Sequence, residues 1–481
     1  KLLKIGFDNM NKDILKDKKH IHFIGIGGSG MYPLAQILHS QGYYLTGSDN
    51  NETETLEAVR KMGIPVFMGQ RAENIEGADL IVHTAAIMAD NPELIAAKAS
   101  NAPVLERSEL LGIVTGWYDN AICVSGTHGK TTTTSMITQI LFTAGVDLSA
   151  FIGGKLPCIG GSGRAGKSDI MVCEACEFVD TFLKLYPDVA VILNIDEDHL
   201  DYFKNLENII KSFRKFSEMA TKALIINGDD ANTLKAVDGI TGKEFITFGL
   251  DSKNDYYAAD IKKISGMETE YTLMYKGKAL GKINLHVAGV HNILNSLAAA
   301  AASFYANVSF ESIQKGLSDF RGAGRRFELI GKEKGITIVD DYAHHPTELS
   351  VTLKAAMDMG YNKVWAVFQP FTFSRTAILL DDFAKALSIP DNAVLTDIMG
   401  SREKNTYNIY TRNLAEKIDG CIYFPQDENA EYTDERKYEN FGQVCDYICE
   451  NANDGDLVIT LGCGDVYKVS KMIYKKLKGQ E

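Results

Sequence analysis

Residues 125–134 read Ser-Gly-Thr-His-Gly-Lys-Thr-Thr-Thr-Thr, and they directly follow the apolar run Ala121–Val124. That run has the length and the side-chain branching of a buried strand. The two glycines allow successive backbone N–H groups to turn inward around a polyphosphate, while Lys130 supplies a positive charge. The Thr131 hydroxyl lies at the position suited to Mg²⁺. The stretch therefore predicts a strand, a phosphate-binding loop and a helix, in that order.

The predicted helix runs from Thr131 to the glycine at position 145, and the positive end of its dipole faces the phosphates. The loop is two residues shorter than the commonest Gly-x4-Gly-Lys-Ser/Thr spacing. An alternative interpretation is a glycine-rich turn with a solvated lysine. Because the strand, the loop, the Lys-Thr pair and the helix occur together, we favour the phosphate-binding loop.

Length, charge and cysteine content restrict the class of protein. A chain of 481 residues is too long for one hydrophobic core, and it suggests about three domains. With 50 basic and 63 acidic residues, the net charge of −13 argues against nucleic acid or an anionic membrane as the main partner. Since there is no apolar signal region or run of about 18 apolar residues, we expect a cytoplasmic protein. The eight cysteines lack zinc-site spacing, so free thiols are expected.

The first part of the chain contains a second glycine-rich loop, Gly25-Ile26-Gly27-Gly28-Ser29-Gly30. It lies between a predicted strand and a predicted helix, and a second strand closes on Asp49. This arrangement is typical of dinucleotide binding, but the glycines only require close backbone approach to a diphosphate at a helix N-terminus. A diphosphate-containing substrate, a nicotinamide cofactor and an unliganded turn all fit, and we favour the substrate.

Alternating strand-like and helix-like runs predict an α/β protein with three domains, over residues 1–115, 116–324 and 325–481. The first and third domains are expected to be Rossmann-like, and the central one to have a mostly parallel, P-loop ATPase-like sheet. Residues 257–287 have an alternating pattern that predicts an antiparallel flap or edge pair. A long alanine-rich helix is expected from His291 to about Tyr305.

Polar side chains follow the predicted central strands, where ligands of parallel sheets bind. One strand ends at Glu174, and another ends at Asn194 and leads to His199. A carboxylate and an imidazole beside a phosphate loop suit Mg²⁺, although histidine is an unusual ligand for this ion. The alternatives are a salt bridge for Glu174 and a capping or loop-orienting role for His199. Cys173 and Cys176 are expected to be packing residues on opposite sides of a strand.

Three further polar groups invite functional interpretations. Asn292 and Asn295 lie three apart on the predicted helix, so both amides fit a polar edge such as that of adenine; N-capping by one is the alternative. An arginine of the segment Gly324–Arg326 fits contact with a γ-phosphate when the domains close. The alternative is that both of its arginines are solvated at the surface. The adjacent His344 and His345 diverge, which favours a hydrogen-bonded loop over a metal pair.

Taken together, these segments resemble the Mur ligase family, in the family's order and over nearly the whole chain. The segments that carry the resemblance are His22–Met31, Ala86-Ile87, Asp90–Glu93, Gly126–Thr132, Asn194–His199, His291-Asn292, Gly324–Phe327, Asp340–Glu348 and Gly462–Asp465. Within the family they are most similar to the enzymes that join L-alanine to UDP-N-acetylmuramate.

The resemblance implies an ATP- and Mg²⁺-dependent amide ligase of peptidoglycan biosynthesis, either a monomer or a homodimer. The first domain would bind UDP-N-acetylmuramate, the second ATP and Mg²⁺, and the third L-alanine. ATP would phosphorylate the sugar's carboxylate, and the alanine amine would then attack the acyl phosphate. Domain closure would exclude water from this intermediate.

The same resemblance implies the site residues. ATP would contact Gly126, Thr127, His128, Gly129, Lys130, Thr131, Thr132, His291, Asn292, Asn295, Arg326 and Asp341. The Mg²⁺ ligands would be Thr131, Glu174 and His199, and the catalytic residues Lys130, Glu174, His199 and Arg326. The two remaining substrates would contact Gly25, Gly27, Gly28, Ser29, Gly30, Asp49, Asn194, His344 and Arg375.

The sequence departs from the family's usual pattern at two places. Residues 174–177 read Glu-Ala-Cys-Glu where Glu-Ala-Asp-Glu is usual, and residues 369–376 lack the His and Arg that often follow Gln-Pro. Arg375 remains as a candidate contact for the amino-acid carboxylate. Rival functions are a ligase that attaches a preformed peptide to the same nucleotide sugar, a nicotinamide dehydrogenase and a non-catalytic nucleotide switch. We favour the alanine enzyme because Gly27-Gly28 is typical of it.

Overall fold

The computed structural model describes residues 14–264, 267–400, 403–425 and 439–480. Three β-sheets with helices between their strands confirm the predicted α/β class. The chain divides into two compact units. The first comprises the described parts of Lys1–Lys262, Thr269–His286 and Val290–Phe320, and the second those of Lys263–Glu268, Val287–Gly289 and Arg321–Glu481. None of the described helices is both long and apolar enough to cross a membrane.

The first sheet is a five-stranded parallel sheet with the strand order β3-β2-β1-β4-β5. Its strands are β1 (His20–Ile24), β2 (Tyr44–Asp49), β3 (Val66–Met68), β4 (Leu80–His83) and β5 (Val104–Glu106). The accompanying helices are Tyr32–Ser40, Glu54–Lys61, Pro92–Ala99 and Arg107–Thr115, with a 3-10 turn at Ala72–Ile75. This order is that of a Rossmann-type half-sheet, as predicted, and its glycine loop lies at the carboxyl end of β1.

The second sheet has ten strands in the order β15-β14-β13-β12-β11-β10-β6-β9-β7-β8. They are β6 (Asn120–Ser125), β7 (Ser149–Leu156), β8 (Gly161–Arg164), β9 (Ile170–Glu174), β10 (Val189–Ile192), β11 (Ala223–Asn227), β12 (Glu244–Gly249), β13 (Tyr256–Lys263), β14 (Thr269–Tyr275) and β15 (Lys278–Leu285). Strands β6, β9, β10, β11 and β12 pair in parallel, whereas β14 and β15 form the predicted antiparallel edge pair. The pair β7 and β8 is a second antiparallel hairpin, which was not predicted from the sequence.

The helices of this region are Lys130–Thr143, Leu200–Phe203, Leu206–Met219, Ala231–Val237, Val290–Tyr305 and Phe310–Asp319. Short 3-10 turns occur at Pro157–Ile159 and within Phe178–Lys184, where the chain kinks at Val179 and Asp180. Helix Leu206–Met219 begins at Asn205, whose side chain accepts a hydrogen bond from the Asn208 N–H and so satisfies one donor of the first turn. Its buried Phe213 and Phe216 pack on Phe182, which fixes the helix against the 3-10 segment.

The third sheet, in the second unit, has the strand order β16-β17-β21-β18-β19-β20. Its strands are β16 (Glu328–Glu333), β17 (Ile336–Asp341), β18 (Val364–Phe368), β19 (Asn392–Leu395), β20 (Ile422–Tyr423) and β21 (Leu457–Leu461). Its helices are Pro346–Met357, Phe373–Ile378, Leu380–Leu387, Thr411–Ala415, Glu439–Asn451 and Tyr467–Leu477. All strand pairs are parallel except β16 with β17. Every residue of β18 and β21 is buried, as expected for a parallel sheet covered on both faces.

The three sheets occupy residues 20–106, 120–285 and 328–461. These ranges fall inside the predicted domains 1–115, 116–324 and 325–481, although the first two sheets belong to one compact unit. Their cores are also continuous, since one hydrophobic cluster contains residues of both sheets, such as Phe23 of β1 and Cys123 of β6. The domain boundaries themselves stay a prediction.

Candidate active site

The predicted phosphate-binding loop connects β6 to helix Lys130–Thr143. Gly126 and Gly129 both have positive φ, at 143° and 88°, which favours glycine at these positions. A side chain at Gly129 would collide with the Asn295 carbonyl oxygen, and one at Gly126 would lie 2.9 Å from the Leu193 Cβ. The loop therefore needs its glycines for close approach to neighbouring elements as well as for its own turn.

Asn194 holds this loop in place from the neighbouring strand end. Its amide oxygen accepts a hydrogen bond from the His128 N–H at 2.8 Å, and its amide nitrogen donates to the His128 carbonyl at 3.0 Å. The Asn194 carbonyl also accepts from the Thr127 N–H at 3.0 Å. Both ends of the side chain are thus used to position the loop. The predicted contact of Asn194 with substrate stays a prediction.

The ammonium group of Lys130 folds back onto the loop. Its Nζ donates to the carbonyls of Gly126 and Thr127 at 2.6 and 3.0 Å, and it pairs with the Glu177 carboxylate at 2.9 Å. Burial is the largest single effect and would lower the pKa of Lys130, but the charge and hydrogen bond of Glu177, together with the neighbouring Cys176 and Glu174, outweigh it and the pKa is raised. Lys130 is therefore charged, and Glu177 is a functional candidate that the sequence reading missed. The only sequence signal for Glu177 was its place in the segment 174–177, which reads Glu-Ala-Cys-Glu where the family usually has Glu-Ala-Asp-Glu.

Two of the three predicted metal ligands lie side by side. The Thr131 hydroxyl donates to Glu174 Oε1 at 3.0 Å, and the Gly153 N–H donates to Glu174 Oε2 at 2.7 Å. Within the described part of the chain Glu174 makes no ion pair, so the salt-bridge alternative is wrong. A hydroxyl and a carboxylate are oxygen ligands of the kind that Mg²⁺ takes beside substrate phosphates. These two residues consequently fit the ion.

His199 has a different environment from Glu174. Its ring lies 4.6 Å from the Phe178 ring, and its Nε2 lies 3.7 Å from Asp198 Oδ2. Its backbone carbonyl accepts from the N–H groups of Tyr202 and Phe203 at the start of a short helix. No group of three or more histidine, cysteine or acidic residues arranged for a metal occurs among the described residues. Binding of Mg²⁺ by His199 stays a prediction.

The segment after Glu177 adopts a strained backbone. Val179 and Asp180 have φ of 52° and 56°, a left-handed conformation that costs a non-glycine residue roughly 1–2 kcal/mol. The Tyr202 hydroxyl donates to Asp180 at 2.8 Å, and Ser212 donates to the same carboxylate. These bonds hold the strained turn beside Phe178, which contacts His199. Strain of this kind clusters at functional sites.

The predicted adenine residues lie next to the phosphate loop. Asn295 is buried, its amide nitrogen donates to Asn292 Oδ1 at 3.1 Å, and its carbonyl oxygen faces Gly129. The N-capping alternative is wrong, because the helix begins at Val290 and both asparagines lie inside it. Burial lowers the pKa of His291, and the nearby His128 lowers it further. Thr132 lies partly exposed in the first turn of the loop helix.

The first glycine loop uses most of its N–H groups internally. Gly25 and Ile26 donate to the Ser48 carbonyl, Gly28 donates to the Gly25 carbonyl, and Gly27 donates to Asp49 Oδ2 at 2.9 Å. Asp49 also accepts from the N–H groups of the two residues that follow it. Asp49 therefore holds the loop with both of its carboxylate oxygens. Its predicted contact with substrate stays a prediction.

Two N–H groups of this loop remain available. Among the described residues, the N–H groups of Ser29 and Gly30 have no hydrogen-bond partner, and they precede helix Tyr32–Ser40. A diphosphate bound here would receive these two donors together with the positive end of the helix dipole. The predicted diphosphate contact over Gly25–Gly30 stays a prediction, in which Ser29 and Gly30 have the available N–H donors.

Two residues from the family-like segments have a structural role. His22 Nε2 bonds to Glu93 Oε1 and its Nδ1 to the Thr46 hydroxyl, each at 2.7 Å, while Ser48 donates to Glu93 Oε2 at 2.7 Å. The side chains of His22 and Glu93 are completely buried. The network links β1 and β2 to helix Pro92–Ala99, since buried polar groups need such partners.

In the second unit, Asp341 accepts from the N–H groups of Phe327 and Ala343 at 2.7 and 2.8 Å. Burial raises its pKa to about 6, against the opposing effects of the Arg326 charge and of these N–H groups. Arg326 lies over the Tyr342 ring at 5.3 Å. Asp341 and Arg326 are thus neighbours, and their contact with ATP stays a prediction.

The adjacent Arg325 is a structural residue. Its guanidinium binds Asp340 at 2.9 Å and the Gly464 carbonyl at 3.1 Å, and it also donates to the Gly462 carbonyl. A solvated surface position is therefore wrong for Arg325. These contacts join β17 to the loop that follows β21.

His344 and His345 diverge, as the sequence predicted. His344 Nδ1 contacts the Tyr342 carbonyl at 3.0 Å, whereas His345 caps helix Pro346–Met357. Burial lowers the pKa of His344, Glu348 opposes this, and the positive charge of Arg375 adds to the lowering. The predicted contacts of His344 and Arg375 with substrate stay a prediction.

The expectation for the cysteines is partly wrong. All eight are free thiols, and Cys173 is a buried strand residue as predicted. Cys176, however, is exposed, because β9 ends at Glu174 and Cys176 lies in the loop beyond it. It is not a packing residue.

Comparison with known proteins agrees with this arrangement. Profiles described as the Mur ligase family catalytic domain, the Mur ligase middle domain and the Mur ligase glutamate ligase domain match residues 20–116, 124–303 and 325–464. The UDP-N-acetylmuramate–L-alanine ligase of Acetivibrio thermocellus is 44% identical over 464 residues, which cover 95% of this chain and 96% of that protein.

Two solved structures share the fold. The UDP-N-acetylmuramate–alanine ligase of Thermotoga maritima superposes with a TM-score of 0.79 at 27% identity, and the match covers 96% of this chain and all of that one. A murein peptide ligase of Psychrobacter arcticus gives a TM-score of 0.70 at 23% identity, covering 95% and 98%. The full-length matches and the phosphate-binding loop together lead to one conclusion: the chain belongs to the Mur ligase family.

Proposed function

We propose that this protein is an ATP-dependent ligase that forms an amide bond between the lactoyl carboxylate of UDP-N-acetylmuramate and L-alanine, in peptidoglycan biosynthesis. The observation that carries the proposal is the match, over nearly the full length, to relatives named for this reaction. The site supports it independently, because a charged lysine, a hydroxyl and a carboxylate surround one phosphate-binding loop. Since the reaction consumes ATP, we also propose a cytoplasmic location.

The reaction needs ATP because a carboxylate is a poor acylating agent. A carboxylate oxygen attacks the γ-phosphorus and ADP leaves, which gives an acyl phosphate. The alanine amine then attacks the acyl carbon, inorganic phosphate leaves with the carboxylate oxygen, and the amine releases a proton. No protein nucleophile is required. The protein's task is to place three reactants, offset their negative charges and exclude water.

The central residues suit this task. Lys130 would offset charge on the ATP phosphates, and its raised pKa keeps it protonated at neutral pH. Thr131 and Glu174 would hold Mg²⁺, and His199 is proposed as a third ligand. The ion, when bound, neutralises charge between the phosphate oxygens. His128, His291, Asn292 and Asn295 line the same region and are proposed to contact the nucleoside.

The remaining substrates are assigned to other parts of the chain. Ser29 and Gly30 are proposed to bind the diphosphate of the nucleotide sugar, in the domain over residues 1–115. His344 and Arg375 are proposed to bind L-alanine in the domain over residues 325–481, with Arg326 and Asp341 directed to ATP. We propose a monomer or a homodimer.

A phosphate-release assay tests the proposal. The protein is mixed with ATP, Mg²⁺ and UDP-N-acetylmuramate, and then with L-alanine, glycine, L-serine or a preformed tripeptide in separate reactions. We expect phosphate release to require the nucleotide sugar, and the highest kcat/KM with L-alanine. Release with the tripeptide alone would favour the peptide-attaching ligase. No release with any amine, despite ATP binding, would favour the nucleotide switch.

A further inference from the structure

We infer that Arg107 is the positive side chain that binds the diphosphate of the nucleotide sugar, beside the N–H groups of Ser29 and Gly30. This inference rests on the proposed function for the class of ligand. It adds a residue that no motif of the sequence indicated, on a segment outside the glycine loop.

Arg107 approaches the loop closely. A Cβ atom built on Gly30 would lie 2.9 Å from Arg107 Cδ and 3.3 Å from both Nε and one terminal guanidinium nitrogen. The guanidinium therefore lies against the bare Cα of Gly30. This contact gives a reason for glycine at position 30, because any side chain there would displace the arginine.

The charge of Arg107 is not used elsewhere. Among the described residues it forms no ion pair and no hydrogen bond, and its partner is the Phe151 ring, whose centroid lies 5.8 Å from the guanidinium carbon. Arg107 is partly buried. A partly buried guanidinium without a counter-ion, next to two N–H groups without acceptors, forms a set of donors suited to phosphate oxygens.

The surroundings of Arg107 also connect the two proposed phosphate sites, the first glycine loop and the region of Glu174. Phe151 and Gly153 lie on the same strand, β7, and Gly153 donates to Glu174, the proposed Mg²⁺ ligand. The hairpin of β7 and β8 also contacts the glycine loop, since the Ser162 hydroxyl donates to the Ser29 carbonyl at 3.5 Å. Arg107 thus lies between the loop of the first sheet and the hairpin of the second.

The overall charge of the protein favours such a residue. A diphosphate brings about two negative charges to a protein whose own net charge is −13. The first glycine loop contains no lysine or arginine. Arg107 supplies the local positive charge that the loop lacks.

The test uses the full chain and measures binding of UDP-N-acetylmuramate and of ATP separately by calorimetry. Arg107→Met keeps the aliphatic packing on Phe151 and removes the charge. We expect its affinity for UDP-N-acetylmuramate to fall about 10- to 100-fold, the effect of losing hydrogen bonds to a charged group, with unchanged ATP affinity. Arg107→Lys should recover part of the loss, since lysine supplies the charge without the bidentate geometry. The salt dependence of binding should also weaken in Arg107→Met.

Arg164→Met is a matched control. Arg164 also lies over a phenylalanine ring, at 5.3 Å from Phe142, but it pairs with Asp147 at 2.6 Å. We expect its UDP-N-acetylmuramate affinity to equal that of the wild type. Unchanged affinity in Arg107→Met, or an equal loss of ATP affinity with a lower melting temperature, would overturn the inference alone. Failure of the wild type to bind UDP-N-acetylmuramate would overturn the proposed function as well.

Discussion

Glu177 contacts the ammonium group of Lys130 at 2.9 Å, and its replacement by glutamine removes that negative charge while preserving the shape of the side chain. The pair is well shielded from water, because the side chain of Glu177 is 3% exposed and that of Lys130 is 15% exposed. Removal of one partner from a buried pair leaves an uncompensated charge, which typically costs roughly 3–5 kcal/mol of unfolding free energy.

We expect the cost for Glu177→Gln to lie near the lower end, about 3 kcal/mol. Lys130 keeps its bonds to the carbonyls of Gly126 and Thr127, which accept part of its charge. For the predicted central domain, residues 116–324, each kcal/mol of unfolding free energy shifts the melting temperature by roughly 2–4 °C. The melting temperature of Glu177→Gln should therefore fall by roughly 6–12 °C.

The assay is thermal unfolding followed by calorimetry, with Glu52→Gln as the control. Glu52 pairs with Arg60 at a similar distance, 2.6 Å, but the two side chains are 62% and 36% exposed. An exposed pair of this kind contributes little, so the control should melt with the wild type. A fall in Glu177→Gln no larger than that in Glu52→Gln would refute the reasoning.

Addition of MgATP extends the test to function. If the ATP phosphates take the place of Glu177 at Lys130, they relieve the uncompensated charge of the variant. Because a ligand stabilises the folded state according to its affinity, MgATP should raise the melting temperature of Glu177→Gln more than that of the wild type. A smaller rise would show that Glu177 assists ATP binding instead of competing with it.

Three further predictions concern other parts of the chain. Lys130→Ala should abolish ATP-dependent phosphate release while UDP-N-acetylmuramate binding, measured by calorimetry, stays close to wild type; equal loss of both would contradict separate phosphate sites. The pKa of Asp341 is raised from 3.8 to about 6, so its protonated form stabilises the fold. This contribution is fully present below a pH of about 4 and should be lost as the pH rises through about 6. Its size is about 3 kcal/mol, at about 1.4 kcal/mol for each pKa unit. Asp341→Asn should abolish this pH-dependent loss of stability. The assay is urea unfolding followed by Trp365 fluorescence, in a background that lacks Trp117. Parallel pH profiles of the free energy of unfolding for Asp341→Asn and the wild type would contradict the prediction. Glu93→Gln replaces a completely buried carboxylate that accepts hydrogen bonds from His22 and Ser48, and should lower protection of β1 from hydrogen exchange by about 1–3 kcal/mol, whereas unchanged protection would disprove that role.

Much of the fold was predictable because its strands are locally encoded. The strand predicted at Ala121–Val124 lies within β6, Asn120–Ser125, and the strand predicted to end at Glu174 does so in β9, Ile170–Glu174. Each is a short, continuous apolar run, which is the pattern of a parallel strand buried on both faces. The phosphate-binding loop was equally readable, since its glycines, lysine and threonine are consecutive.

The expectation for Cys176 failed for a local reason. The strand ends at Glu174 as predicted, but the packing expected of Cys176 applied strand geometry beyond that end, where the chain turns into a strained loop.

By itself, the sequence determined the α/β class, the order of strands and helices, and the identity of both glycine loops, because each depends on residues close together in the chain. Only the tertiary structure decided which groups complete the sites. Glu177 reaches Lys130 across 47 positions, Asn194 holds His128 across 66, and Arg107 lies against Gly30 from another segment. Such contacts depend on which strands are neighbours and on where each side chain points, and a single sequence does not specify either until the sheets have formed.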